Sequence, residues 1–334
     1  MDTVTVAHAE TETVILDDVD RGLVHALRID GRAPFRHVGE VIGVSENTVA
    51  RRYRRLRTAG VLRVVGALNG GRLGYSAWTI RVRCAPDAAL PIAKSLAARA
   101  DTSYVHLLSG GTEISCGAQI PTRDESDALL LRALPRTARV TSVTAHLLLG
   151  SYVLPNDWTG AAVLSAEQVA ALSPPPVAET DDIELSAADR PLLTLLSQDG
   201  RASHAQLAAA TGWSEATVRR RLFLLRQAGV LAFFVDIPPA ALGFHTEARL
   251  WMSVRPSGLT AVAAAIAEHP EVSLVSLTTG PSNLLAAVNC RDAGHLSRYL
   301  TERVGMLDAI RAIETAPVIR TLKRAGALLP AIPA

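Results

Sequence analysis

The side chains with the most chemical reach in this sequence are arginines, and they come in rows. In "SENTVARRYRRLR" they stand at positions 51, 52, 54, 55 and 57, behind Asn47 and Thr48. In "SEATVRRRLFLLR" they stand at 219, 220, 221 and 226, behind Thr217. Lys94 and Lys323 are the only lysines of the chain, so nearly all its positive charge is guanidinium. A guanidinium is a planar fork of donors that fits phosphate or the edge of guanine, and asparagine pairs with adenine. The chemistry on offer is recognition of a nucleic acid. Bond-making chemistry has no comparable signal. Cys84, Cys116 and Cys290 are scattered with no CxxC pair, which points away from zinc and disulfides and fits a reducing cytoplasm. His25, His37, His204 and the other histidines lie singly, and no Ser/His/Asp set or glycine-rich phosphate loop stands out. No catalytic residue, metal or cofactor is expected.

Arginines read DNA only if an element holds them outward. At about 100° per residue, Val49, Tyr53 and Leu56 fall on one helical stripe and must face a core. Asn47, Thr48, Arg51, Arg54 and Arg55 then lie on the other side, with Arg52 at the flank. Ser45 is a good N-cap for this helix and Gly60 ends it. A shorter helix from about Pro34 to Ile42 precedes it, across a tight Gly43-Val44-Ser45 turn. An earlier helix around Leu23 and Leu27 ends at Asp30-Gly31. Helix, glycine turn, helix is the helix-turn-helix signature. The competing reading is a solvated arginine face on a surface helix.

The same arrangement recurs 169 positions further on. "DRGLVHALRIDGRAPFRHVGEVIGVSENTVARRYRRLRTAGVL" lies over "DRPLLTLLSQDGRASHAQLAAATGWSEATVRRRLFLLRQAGVL" without a gap, and close to half of the positions are identical. Copy two is not a plain echo: Phe223 and Leu224 stand at the places of Arg54 and Arg55, on the face meant for the groove.

After each helical unit the texture becomes strand-rich. In copy one the order reads strand near 78–84, helix near 87–99, strands near 103–109 and 113–120, helix near 123–134, strand near 139–150. That is β-α-β-β-α-β, the ferredoxin-like split repeat, and copy two repeats it from about Leu250 to Lys323. The hairpin tips Ser109-Gly110-Gly111-Thr112-Glu113 and Thr279-Gly280-Pro281-Ser282-Asn283 read as turns on their chemistry alone. Between the copies, Ser165 and Gln168 have capping-box spacing for a short helix to about Leu172, and Pro174, Pro175 and Pro176 form a semi-rigid spacer.

These residues resemble the Lrp/AsnC (leucine-responsive regulator) family of bacterial and archaeal transcription regulators, twice over. The family's "DGR" and S-x-x-x-V-x-x-R-x-x-x-L-x-x-x-G-V-[IL] pattern is carried by Asp20, Asp30, Gly31, Arg32, Ser45, Val49, Arg52, Leu56, Gly60, Val61 and Leu62. It is carried again by Asp189, Asp199, Gly200, Arg201, Ser214, Val218, Arg221, Leu225, Gly229, Val230 and Leu231. The resemblance implies an α+β chain of two winged or helix-turn-helix three-helix domains, each followed by a ferredoxin-like (RAM-type) effector and dimerisation domain. It implies double-stranded DNA as partner and a small molecule such as an amino acid as effector. Neither hairpin tip has the aspartate that ends the family's TGxxD turn; Glu113 and Asn283 stand there.

The expected organisation is a tail over 1–14, a DNA-binding domain over 15–62, an effector and dimerisation domain over 63–153 and a linker over 154–183. A second pair of domains follows over 184–231 and 232–325, then a tail over 326–334. DNA contacts are expected from Ser45, Asn47, Thr48, Arg51, Arg52, Arg54 and Arg55, and from Ser214, Thr217, Arg219, Arg220 and Arg221. Effector contacts are expected at Ser109, Gly110, Gly111, Thr112, Glu113, Thr279, Gly280, Ser282 and Asn283. The chain is expected to be cytoplasmic and bacterial, without a signal peptide or membrane segment, and to fold as an intrachain pseudo-dimer open to further pairing of whole chains. Two alternatives use the same fold. One is a sirohaem-decarboxylase-like enzyme, which should carry an HNYxR-type stretch where this chain has only His106 in "YVHLLSGG". The other is a sensor without strong DNA binding, which Phe223 and Leu224 favour.

Overall fold

The computed structural model describes residues 15–121, 139–176 and 183–326. Head one is α1 (Asp18–Ile29), α2 (Phe35–Ile42) and α3 (Glu46–Thr58), followed by strand β1 (Arg63–Leu68). Asp17 caps α1 by accepting from the Asp20 N–H at 2.9 Å. Gly43, with φ of 77°, turns the chain out of α2, and Ser45 caps α3. The stripe of Val49, Tyr53 and Leu56 is buried with Leu23, Leu27 and Val38, as the helical spacing requires.

The strand-rich half of copy one is β2 (Tyr75–Cys84), α4 (Pro86–Ala97), β3 (Thr102–Leu108), β4 (Glu113–Pro121) and β5 (Val140–Val153). The helix expected near 123–134 lies outside the described residues. After α5 (Ala166–Leu172), head two is α6 (Arg190–Gln198), α7 (His204–Thr211), α8 (Glu215–Gln227) and β6 (Leu231–Asp236). Copy two ends with β7 (Thr246–Val254), α9 (Leu259–Ala267), β8 (Val272–Thr278), β9 (Leu284–Cys290), α10 (Ala293–Arg298) and β10 (Ile310–Lys323).

The two heads are one unit. Strands β1 and β6 pair antiparallel, with Val65 opposite Phe234, its own counterpart 169 positions on, so a local two-fold axis passes between them. The "DGR" signature is the pairing device. Arg32 donates to the carbonyls of Gly200 (2.7 Å) and Ala202 (3.0 Å), and Arg201 returns the contact to Gly31 (2.7 Å) and Ala33 (3.0 Å). Arg57 bonds Asp199 and Arg226 bonds Asp30, each at 2.8 Å. Gly31 has no room for a Cβ, which would lie 2.7 Å from Phe233 and 2.9 Å from Val64. One hydrophobic core runs through both heads, from Leu23 and Leu56 to Leu196 and Leu225.

The strand-rich halves close into one barrel, in the order β10-β3-β4-β2-β5-β8-β9-β7. The device is the length of each copy's last strand. The first part of β5 pairs with β2 of its own copy, down to Leu147 opposite Trp78. Its remainder, from Leu148, pairs with β8 of the other copy. Strand β10 does the same, with β7 through Pro317 and with β3 from Val318. The pseudo-dimer is therefore built by hydrogen-bonded strands, not by face-to-face contact of two separate sheets.

The start of the segment that the sequence presents as a spacer, 154–183, is packed. Trp158 is buried, edge-on to Phe244 at 4.8 Å, and its Nε1 donates to the Pro270 carbonyl at 2.7 Å. Arg28 of α1 donates to the carbonyls of Pro155 (3.0 Å), Asn156 (3.0 Å) and Trp158 (2.7 Å). The Ser165–Gln168 capping box forms, and Gln168 ties α5 to the Val41 carbonyl at the end of α2. A proline-rich composition hides this anchoring because the tryptophan that drives it comes sixteen residues before the prolines.

Candidate nucleic-acid interface and hairpin tips

Each recognition helix starts on a serine cap that is itself occupied. Ser45 Oγ accepts from the Thr48 N–H (3.2 Å) and lies 2.9 Å from Thr48 Oγ1; Ser214 and Thr217 repeat this at 3.1 and 2.9 Å. These pairs fix the start of the helix, where orphan N–H groups would otherwise need water. Beyond the cap, Asn47, Arg51 and Arg54 in head one are exposed, as are Thr217, Arg219 and Arg220 in head two. Among the described residues Asn47, Arg51, Arg54, Arg219 and Arg220 have no hydrogen bond or ion pair to another side chain.

Arg52, Arg55 and Arg221 are placed differently. Asp20 is fully buried on α1, and Arg55 reaches its Oδ2 at 2.5 Å. Arg52 bonds Asp17 at 2.6 Å and lies 3.4 Å from Asp20. In copy two the counterpart of Arg55 is Leu224, and Asp189, also fully buried, is held by Arg221 through Nε and Nη2 at 2.7 Å each. Ser186 adds its N–H (2.8 Å) and hydroxyl (3.1 Å). Burial by itself would raise the Asp189 carboxyl; the bonds from Arg221 and Ser186 outweigh it and hold the group below the ordinary carboxylate range. Three arginines that share a row with the outward ones thus lock the recognition helix to the first helix of its head. The partner aspartates are 32 residues or more away in sequence, and helical periodicity alone gives no signal for them. Phe223, at the place of Arg54, is 57% exposed on α8.

The hairpin tips are largely spoken for. In copy one Ser109, Gly110 and Gly111 all have positive φ, and the Thr112 hydroxyl closes the turn on the Ser109 carbonyl. Glu113 is buried and accepts from Arg81 Nε at 2.5 Å. The same guanidinium grips Glu314 of copy two at 2.9 and 2.7 Å and lies 3.7 Å over the Trp251 ring. In copy two Asn283 brackets Val254, accepting from its N–H (2.8 Å) and donating to its carbonyl (2.9 Å). Ser282 gives its carbonyl to the Thr278 hydroxyl. Thr279 accepts from the Leu147 N–H at 2.9 Å, and Gly280 packs where a Cβ would come within 2.3 Å of the His146 ring. The side chains of Thr112, Glu113, Thr279 and Asn283 therefore spend their polar groups on a turn, on a neighbouring strand or on the seam between copies.

Two paired helix-turn-helix heads on a closed ferredoxin-like barrel define a DNA-binding transcriptional regulator. Family comparison agrees. The AsnC-type helix-turn-helix domain matches residues 16–57 and again 185–226, and the Lrp/AsnC ligand binding domain matches 247–328. An uncharacterized HTH-type transcriptional regulator of Pyrococcus abyssi is 30% identical over 151 residues, 45% of this chain and 95% of that protein. The HTH-type transcriptional regulator FL11 of Pyrococcus horikoshii is 28% identical over 142 residues, 42% of this chain and 93% of its own length. The chain belongs to the Lrp/AsnC family, as two copies fused in tandem. These relatives are archaeal, and the expectation of a bacterial chain has no support in them. Among solved structures, the siroheme decarboxylase NirDL covers 92% of this chain and 93% of its own with a TM-score of 0.63 at 13% identity, a likeness of fold. Among the described residues no helix is long and apolar enough to cross a membrane, and no three His, Cys, Asp or Glu gather as metal ligands would.

Proposed function

We propose that this regulator reads a specific, asymmetric DNA site with both heads, from the cytoplasm and without catalysing a reaction, and that a small molecule bound to its barrel modulates that reading. The observation that carries the DNA assignment is the set of exposed, unpaired guanidinium groups on α3 and α8. In head one Asn47, Arg51 and Arg54 are the contacts we assign to the groove, with Arg55 at its edge. In head two they are Arg219 and Arg220, while Thr217, like Thr48, is held by the serine cap. Arg52 and Arg221 act as positioning residues, and Ser45, Thr48 and Ser214 hold the helix start. Because Phe223 replaces an arginine, head two binds more weakly and favours a different half-site.

The non-enzymatic reading draws on the surroundings of His106. Its imidazole is buried between Arg249 and Thr321 and is not followed by the Asn-Tyr-x-Arg expected of a sirohaem decarboxylase. The test is operator selection from random DNA, followed by titration of the selected site. Arg51→Ala together with Arg54→Ala should cost roughly 1–3 kcal/mol per base-bidentate contact and lower the salt dependence. Arg220→Ala should cost less. Unchanged affinity in the folded double variant would overturn the assignment of head one, and a larger loss in Arg220→Ala would overturn the ranking of the heads.

A further inference from the structure

Lined by residues of the barrel strands and of the strand pair β1–β6 is a cavity of about 310 Å³. Much of its wall is apolar, with Trp78, Leu148, Phe234 and Leu285 among the lining residues. Its charged lining is unbalanced: Arg28, Arg249 and Arg324 face Glu247, which lies 3.7 Å from Arg324. Arg249 is buried, and among the described residues no carboxylate comes within ion-pair distance of it. Its Nη2 lies 2.7 Å from His106 Nε2, and its other contact is a 3.5 Å bond to the Ala248 carbonyl. Burial, followed by the charges of Arg249 and Arg324, pushes the His106 imidazole well below its ordinary range, so the ring is neutral. Nε2 then accepts from Arg249 while Nδ1 donates to the Thr321 hydroxyl at 3.1 Å. Most of the five donors of Arg249 are left over. A second guanidinium on the same wall is also incomplete: Arg28 Nη1 is buried with no partner.

Glu247 acts on Arg249 only through space and also faces Arg324, and a buried cation with no carboxylate at ion-pair distance is costly unless something supplies the anion. The pairing registers show that this arrangement occurs once. Thr79 stands opposite Gly117 in copy one where Arg249 stands opposite Ala287 in copy two. His106 stands opposite Ser115 in copy one where Ser276 stands opposite Leu285 in copy two. The His106–Arg249 couple is therefore assembled from both copies and has no mirror image across the two-fold axis.

We propose that this chamber binds one small organic acid per chain, its carboxylate on Arg249 and its apolar or aromatic body against the Trp78 and Phe234 walls. This deepens the effector reading given above and rests on it for its regulatory role. Arg28 belongs to α1, the helix whose Asp20 holds Arg55 of the recognition helix, so an occupant of the chamber touches the head that reads DNA.

The test uses the full chain and three acid/amide pairs as probes: hexanoate and hexanamide, benzoate and benzamide, indole-3-acetate and indole-3-acetamide. Calorimetry should find at least one acid binding with a stoichiometry of one, at least tenfold tighter than its amide. Arg249→Met should weaken that acid at least tenfold, and Ser109→Ala at the hairpin tip should leave it unchanged. Without ligand, Arg249→Met should melt at or above the wild-type temperature, because it removes a buried charge that has no direct ion pair. The proposal is overturned if no acid outcompetes its amide, if two sites fill per chain, if Arg249→Met binds equally well, or if that variant melts well below wild type without ligand. An acid that binds as expected but leaves operator affinity unchanged supports the site and refutes its role as effector site. Loss of the acid site with operator binding intact refutes the site alone.

Discussion

Replacing Arg221 by methionine should damage the protein in a way that Arg52→Met does not. Arg221 gives Asp189 two bonds of 2.7 Å and gives the Glu184 carbonyl a third of 2.9 Å. Without it a fully buried carboxylate keeps, among the described residues, the N–H and hydroxyl of Ser186. Removing one partner of a buried pair costs about 3–5 kcal/mol. The Arg221 side chain is 22% exposed, so water can enter the vacated place, and about 2–4 kcal/mol is expected. In copy one Asp20 keeps Arg55 at 2.5 Å when Arg52 is lost. The main loss there is the pair with half-exposed Asp17, on the order of 1 kcal/mol. Urea unfolding followed by tryptophan fluorescence measures this, since Trp213 sits just before α8. Operator affinity is then measured against salt. A guanidinium held by Asp189 does not neutralise a phosphate, so Arg221→Met should leave the slope unchanged, whereas a lost phosphate contact lowers it by about 0.9. Equal destabilisation by the two variants, or a slope reduced by about one in Arg221→Met, would refute the assignment of these arginines to the fold.

Three further outcomes follow from the geometry. The depressed Asp189 carboxyl contributes stability that is complete above its unfolded value of 3.8 and is lost as pH falls through the lower folded value, so Asp189→Asn should be less stable at pH 7 and flatter in acid unfolding below about pH 5; an unchanged acid limb would contradict this. Gly280→Ala should destabilise by about 1–3 kcal/mol, because φ is 97° and the new Cβ meets the His146 ring, and His146→Ala should restore only part; an unmoved urea midpoint would show the seam to be more open. Residues 1–160 and 180–334 made separately should combine one to one in native mass spectrometry, since β5–β8, β10–β3 and β1–β6 all join the copies; halves that form only self-dimers would refute the closed pairing.

Much of this was legible in the sequence. The duplication, the helix-turn-helix units, their caps and, over the described residues, the strand-helix order follow from periodicity and turn chemistry, which are local. What was hidden depends on partners far apart in the chain. Arg52 and Arg221 sit in the same rows as Arg51 and Arg220, and only the buried aspartates of α1 and of the turn into α6 separate their roles. Strand propensity places β5, but its burial does not alternate, and nothing local tells that its second half pairs with β8. The role of "DGR" as a clasp between heads, Arg32 and Arg201 exchanging carbonyls, needs the two-fold arrangement before it can be seen. The chamber draws its lining from both copies, and no window of sequence contains it.

The division of β5 and β10 between two sheets has a consequence for dosage. A regulator made of separate subunits becomes competent to bind DNA in proportion to the square of its subunit concentration while dimers are scarce, and related subunits can exchange. Here the partners are joined covalently and their effective concentration is fixed by the chain. If one chain brings both heads to DNA, as proposed, competence rises linearly with the number of chains made. Within a chain the two heads are always one of each kind. Each half can diverge from the other while the two stay joined, as Phe223 and Leu224 in place of two arginines already show.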